Sequence, residues 1–438
     1  MALPDLLRVR PARLMIVNNP SFGLLWSGQL LSSIGSWLLV VAVPVAVFRL
    51  TGSARDTGLA TVAEVLPVVA LGPVAGVFAD RWNRRTVMVT ASLAQAAAVL
   101  LLIFFTSADR LWLLLLAVVA ENGIGMFFTP AYQGVVPFTV GRGSDLDNAN
   151  GWSAAARGIT GLSGGPLGGA VYAALGFRAA VGLDAASYVV AAGCIAAMPV
   201  LRAARGEPTS QQAIGPSRQG PQPSGPREAA RRLAMDLRTG VATLAANRTL
   251  SVLLAVTTAF LLGNGGATAL LVPFVTTRLD GDASTLGVLM CALGGGYLAG
   301  AYTGRRACSS ARLRRWASGM VGGVAATFAV LFNTHSLAVA VAAISLAGLA
   351  GGTFLMLRQT LLQRLAPDAM IGRISAVYAT AASAATLAGA LLATVTVHSL
   401  GLTRALDSSV AVIAAGAVVA LMLPARIAGT EEPPPVRE

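Results

Sequence analysis

At 438 residues, 55% hydrophobic and only 12% charged, the chain carries about half the charge of a soluble domain and reads as an integral membrane protein. A mean hydropathy of +0.70 and 48 glycines agree, since membrane helices tolerate glycine and pack closely through it. The net charge of +13 comes from arginine alone, in short scattered clusters, which excludes a nucleic-acid-binding stripe and fits loops facing an anionic leaflet.

Residues 1–21 lack a short apolar core followed by a small-residue cleavage site, so no signal peptide is read and the chain is expected to begin in the cytoplasm. About 20 mostly apolar residues cross a bilayer, and twelve such runs follow. The first six are 22–48, 57–80, 86–106, 111–138, 150–174 and 178–201. The others are 249–276, 284–304, 316–333, 336–363, 373–399 and 403–424. Pro44, Pro67, Pro73, Pro130, Pro137, Pro166 and Pro273 fall inside runs and predict kinks, because neighbouring helices can satisfy the freed carbonyls. The pattern gives an all-α membrane protein of twelve transmembrane helices: a first bundle over 1–201, a linker over 202–248, a second bundle over 249–424 and a tail over 425–438.

Arginine sets the orientation, because it is retained on the cytoplasmic side. With both termini inside, cytoplasmic segments hold 24 arginines and outside loops six, namely Arg49, Arg55, Arg110, Arg178, Arg278 and Arg404. Arg157 and Arg358 fall within helices. The linker opens with a Pro/Gly/Ser/Gln-rich stretch that has no apolar face to bury and is expected to be disordered. After it, Leu233, Leu237, Val241 and Leu244 recur at helical spacing against Arg231, Arg232 and Arg238, which predicts an amphipathic helix on the inner membrane surface, with a plain solvated helix as the alternative. Cys194, Cys291 and Cys308 show no metal-ligand spacing and read as small buried hydrophobes.

The chain also resembles itself. VPVAVFRLTGSARDTG at 43–58 aligns without gaps on VPFVTTRLDGDASTLG at 272–287, matching Pro44 with Pro273, Arg49 with Arg278 and Gly52 with Gly281. Gln133 similarly corresponds to Gln359. Two related six-helix halves can rock about a central site, a common way to build alternating access.

Between the second and third runs, Gly76, Asp80, Arg81, Arg84 and Arg85 spell G-x-x-x-D-R-x-x-R-R. Gly300 to Arg306 is a decayed second copy. In this the chain resembles the major facilitator superfamily, and Asn83 stands where the general pattern prefers Gly; Asn also enters the left-handed region, so a tight turn is expected there. The resemblance implies that Asp80 meets the N-terminus of the eleventh helix, near Ile371 to Ser375, latching the cytoplasmic side, while Arg84 and Arg85 hold the loop at lipid phosphates. The plainer alternative makes these arginines topology anchors. Gly161, Gly165, Pro166, Gly168 and Gly169 form G-x-x-x-G-P-x-G-G, similar to the antiporter motif of twelve-helix drug exporters, although Trp152 replaces an earlier Gly of that motif. Such glycines bare a helix face for tight packing that seals the outer pathway, and a generic small-residue contact is the alternative. Segments such as WSGQLLSSIGSWLLVVAVPVAVFRLTGS further resemble the branch containing macrolide efflux proteins and the enterobactin exporter.

Intramembrane charges are functional candidates by default. Glu121, then Glu64, then Asp184 are the candidates for proton coupling. A permanent Glu121–Arg157 ion pair is the competing reading, and Asp184 lies near enough to the outer surface to be solvated. Arg157 and Arg358 either orient an anion or snorkel to the interface. Gln29, Trp37, Gln133, Phe260, Asn264, Tyr297 and Gln359 lie on helices that line the cavity in this family. No HExxH or nucleotide loop is present, so neither an enzyme nor ATP coupling is read, and no cofactor or metal is expected. The expectation is a monomeric plasma-membrane exporter of a small amphipathic molecule, driven by proton antiport; a solute importer and a non-transporting scaffold or receptor are the alternatives.

Overall fold

Asn19 starts the first helix by accepting a hydrogen bond from Phe22 N at 3.0 Å, with Pro20 preset for the first helical position. The computed structural model describes residues 19–79, 83–141, 144–199, 226–309, 313–367 and 370–424. Helix α1 (Pro20–Thr51) passes through Pro44 and ends at Gly52, whose φ of 64° is the left-handed stop that glycine allows. The helices α2 (Ala54–Ala79), α3 (Arg84–Leu100) and α4 (Leu111–Val140) follow. The helical stretch Ser144–Ala197 turns sharply at Gly176 (φ 79°, ψ 178°), which divides it into α5 (144–175) and α6 (177–197).

The second group comprises α7 (Pro226–Ala246), α8 (Arg248–Ala269), α9 (Leu271–Arg278), α10 (Ala283–Ser309), α11 (Leu313–Asn333), α12 (Leu337–Leu365), α13 (Ile371–Leu400) and α14 (Leu402–Ala420). Ten helices among the described residues are long and apolar enough to cross a membrane. They differ from the twelve expected runs at two places. Residues 148–197 count once despite the turn at Gly176, and α2 is helical without being one of the ten.

The run 249–276 also departs from expectation. It breaks at Leu270, because Pro273 cannot donate to the carbonyl of Ala269 and instead occupies the first turn of α9, where no N–H is needed. Pro44, at the matching place, leaves α1 continuous.

Packing follows chain halves. In the first, α1 lies against α5 and α6, and α4 packs between α2 and α3; in the second, α8 lies against α13 and α14, and α12 packs between α10 and α11. Across the halves, α5 meets α10 and α2 meets α13. The α2–α3 and α4–α5 connections and the 226 end of α7 share one side, here the linker face; Gly52, Gly176 and Gly401 mark the far face.

The amphipathic stretch at 226–246 does not lie on a membrane surface alone. A Cβ at Gly240 would come within 2.8 Å of Val377 Cγ2 and 3.0 Å of the Arg373 carbonyl, and Leu244 is buried with Leu250, Leu362, Ile374 and Tyr378. The absent side chain at Gly240 lets α7 dock on α13. Val241 stays exposed, while the side chains of Leu233 and Leu237 lie outside the described ones. Cys291 is exposed and Cys194 half-buried, so neither is the fully buried hydrophobe expected.

Candidate functional site

The three candidate carboxylates converge. Glu121 of α4 lies within electrostatic reach of Glu64 on α2 and of Asp184 on α6. Asp184 is fully buried, contrary to the expected solvated position, because the Gly176 turn folds α6 back along α1: a Cβ at Gly35 would sit 2.5 Å from Asp184 Oδ1. Ser187 Oγ donates to the Asp184 carbonyl at 2.7 Å and lies 3.3 Å from Asp184 Oδ1, and Oδ2 has no hydrogen-bond partner among the described residues.

Tyr188, a neutral residue and so not among the charged candidates, organises the cluster. Its hydroxyl donates to Glu121 Oε1 at 2.9 Å, accepts from Gln95 Nε2 of α3 at 3.2 Å and lies 3.0 Å from Ser36 Oγ of α1. One buried phenol thereby joins four helices. Because its single proton is committed to Glu121, protonation of that carboxyl would change the hydrogen bonds of all four. A lone Gln and a lone Tyr inside apolar runs must find partners, and that was the available signal. Glu121's hydrogen-bond partner among the described side chains is Tyr188; the Arg157 side chain lies outside them.

A cavity of about 170 Å³ adjoins this network, lined by Gln29, Ser33, Ser36, Gln95, Thr129 and Tyr188 among others. Gln29 donates to Ser33 Oγ at 3.1 Å, while its Oε1 is buried without a donor. Of the other expected cavity residues, Trp37 packs on α5, where a Cβ at Gly164 would be 2.5 Å from its own Cβ. Phe260 is only 1% exposed and packs 5.4 Å from Phe354, so it belongs to the core of the second half. Its ring reaches α12, where a Cβ at Gly351 would stand 3.6 Å from Phe260 Cζ, and this leaves it no open face. Asn264 and Tyr297 are half-buried, Tyr297 against Gly351 and Gly352 of α12, and Gln133 and Gln359 are both exposed. Arg358 is half-buried with Nε unbonded and lies within electrostatic reach of Tyr378.

The α5 glycines pack on two sides. Gly164 and Gly168 receive Trp37 and Val41 of α1, whereas Gly165 and Gly169 receive α10: a Cβ at Gly169 would be 2.5 Å from the Ala283 carbonyl, and one at Gly165 2.4 Å from Met290 Cβ. Gly161 offers its carbonyl 3.0 Å from where a Cβ of Gly294 would stand. Pro166 passes within this seam, its Cα 3.3 Å from a Cβ built at Gly287. With Gly58 closing on Thr394 of α13, these close approaches lie in the far-face part of the bundle.

At the linker face, Gly76 lies in the last turn of α2, and Asp80 and Arg81 lie outside the described residues, as does any contact of theirs with α13. Asn83 is not left-handed. At φ −62° and ψ 110° it is extended, and its Oδ1 caps α3 by accepting from Arg85 N at 3.1 Å and Thr86 N at 3.4 Å. The expected engagement of lipid phosphates is also revised. Arg84 Nη1 donates to the Gly134 carbonyl at 2.7 Å and its guanidinium lies 5.2 Å from the Phe138 ring centre; Arg85 donates to the Ile195 carbonyl at 3.2 Å and to that of Ala196. Ile195 and Ala196 fall among the last four carbonyls of α6, which lack the full intrahelical donor set, and both acceptor sites lie towards negative dipole ends of helices, so they attract arginine as phosphate does.

Comparison with known proteins supplies the frame. A family model described as Major Facilitator Superfamily matches residues 25–390. The chain is 28% identical over 172 residues to macrolide efflux protein A of Streptococcus pyogenes, covering 39% of this chain and 42% of the relative. It is 33% identical over 150 residues to the multidrug efflux pump Tap of Mycolicibacterium fortuitum, covering 32% of this chain and 36% of that one. These alignments span less than half of either relative. In fold, the chain is similar to a bacterial homolog of the human lysosomal transporter Spinster in an inward-facing, unoccupied conformation, with a TM-score of 0.64 at 15% identity over 94% of this chain and 97% of the other.

Proposed function

The chain belongs to the major facilitator superfamily of transporters, and on that premise we propose that it exports a small amphipathic molecule by proton antiport. The observation that carries this reading is the Glu121–Tyr188 hydrogen bond beside a polar cavity, with Glu64 and Asp184 in electrostatic reach. A buried carboxyl can take up and release a proton, and Tyr188 holds Glu121 in place to do so. The efflux relatives support the outward direction.

Under this reading 1–201 and 249–424 are the two rocking bundles, 202–248 links them and 425–438 forms a tail. The linker face is assigned to the cytoplasmic side of the plasma membrane, a reading the arginine asymmetry supports. The glycine seam of α5 against α10 and the Gly58–Thr394 approach then close the outer side, so the described state receives substrate from the cytoplasm. Asp80 is assigned the opposite latch, at the linker face, and Arg358 is assigned a polar contact with substrate from the second bundle. The carrier works as a monomer.

The test uses inverted vesicles holding a pH gradient reported by a quenched dye. Adding a macrolide should dequench the dye, and Glu121→Gln should abolish that response while downhill macrolide flux persists, a loss of roughly hundredfold or more in driven export. An unaltered gradient with every amphipathic compound tried favours a scaffold. Uncoupler-sensitive accumulation in intact cells favours an importer.

A further inference from the structure

A second cavity, about 450 Å³, lies at the far face of the first half and away from the carboxylates. It is bounded by the end of α1, the residues after α3 and the α5–α6 turn, and two of the six far-face arginines, Arg49 and Arg178, stand in its wall. Arginine is selected against on this side of a membrane protein, so a pair gathered in one pocket calls for a partner. Neither guanidinium makes an ion pair among the described residues. Arg49 is held 5.4 Å over the ring of buried Tyr172, and Phe105 meets Phe177 edge to face at 6.5 Å, which gives the pocket a fixed aromatic wall.

The depth is informative. Phe104 and Trp112, 56% and 64% exposed, flank the same connection, and exposed aromatics mark the membrane–water boundary. From the arginines, an apolar rim continues through exposed Leu50 and Leu175. We propose that this pocket binds the phosphate headgroup of an anionic phospholipid, the two guanidiniums bonding its oxygens and its chains running down past Leu50 and Leu175. Free phosphate shares the headgroup chemistry, but a soluble anion gains nothing from the rim.

The full chain, purified in mild detergent, is examined by native mass spectrometry and thermal unfolding with phosphatidylglycerol, phosphatidylcholine or inorganic phosphate added. Phosphatidylglycerol should be retained and raise the unfolding midpoint, whereas phosphatidylcholine should not. Arg49→Gln and Arg178→Gln should each weaken retention about tenfold, the value of one charge-assisted bond, while Arg404→Gln, another far-face arginine, leaves it unchanged. Leu175→Trp, which fills the rim with both charges kept, should also expel the lipid. Equal retention of the two lipids, equal retention by the arginine variants, or the same stabilisation by inorganic phosphate alone would overturn the assignment.

Discussion

The two halves share a helical plan and differ in what they bury. The first buries Asp184 and the Glu121–Tyr188–Gln95 network, with Glu64 in electrostatic reach, beside a polar cavity that Tyr188 and Gln95 line. In the second, helices meet through glycine: a Cβ at Gly389 would be 1.8 Å from the Leu262 carbonyl, and Gly296, Gly300, Gly348 and Gly352 bring α10 and α12 together with carbonyls 2.2 to 2.6 Å from any added Cβ. Asp280, Asp282 and Asp407, its described carboxylates, stand at or near the far-face ends of helices. A duplicated scaffold can thus divide labour, with titratable chemistry in one copy and backbone-to-backbone contact in the other.

Substitutions can break this contrast. The largest effect is expected at Gly389→Leu, where nothing flexible can yield to the new side chain; overpacking of this kind costs about 3 kcal/mol or more. Size-exclusion chromatography should show loss of folded monodisperse protein, while Gly151→Leu in the first half, with open space around it, should elute as wild type. If both variants behave alike, the second half owes nothing special to its glycines.

Tyr188→Phe should sharpen the other side of the contrast. It removes the donor to Glu121 and the acceptor of Gln95 while keeping the ring, at a cost of about 1 to 3 kcal/mol. The pH of half-maximal export should move by about one unit, with expression unchanged. An unmoved pH profile would detach Tyr188 from coupling.

The smallest effect is expected at Asp282, which caps α10 by accepting from Ser284 N at 2.9 Å and Thr285 N at 3.0 Å. The bond from Thr285 above all, then that from Ser284, holds its carboxyl below the usual carboxylate range. Its folded-state affinity for protons is therefore the lower one. The stabilisation is present above the unfolded value, about 3.9, and is lost as pH falls through the folded one. Asp282→Ala should cost about 1 kcal/mol near neutrality, and thermal melts of the variant and wild type should draw together below about pH 4.

Much of this was legible beforehand. Apolar runs, the arginine asymmetry and the G-x-x-x-D-R-x-x-R-R stretch led to the fold because bilayer thickness imposes length and composition on each helix. The carboxylates were legible as charges, but their common neighbour was not. Tyr188 is neutral, and no pattern within one helix announces which four helices will converge on it. Phe260 failed as a cavity residue for the same reason: a position on a helix is read from sequence, but the partner covering it is not. Asn83 was misread because a residue that tolerates left-handed backbone serves equally as an extended N-cap, and only the following N–H groups decide between them.

The arginine contacts at the linker face carry a mechanical corollary. Since Arg84 grips the end of α4 and Arg85 the end of α6, the surface turn that bears them is bolted to the same block that houses Glu121. An antibody fragment clasping that turn from the aqueous phase would act as a brake on the whole block, stalling turnover without ever entering the path that cargo takes.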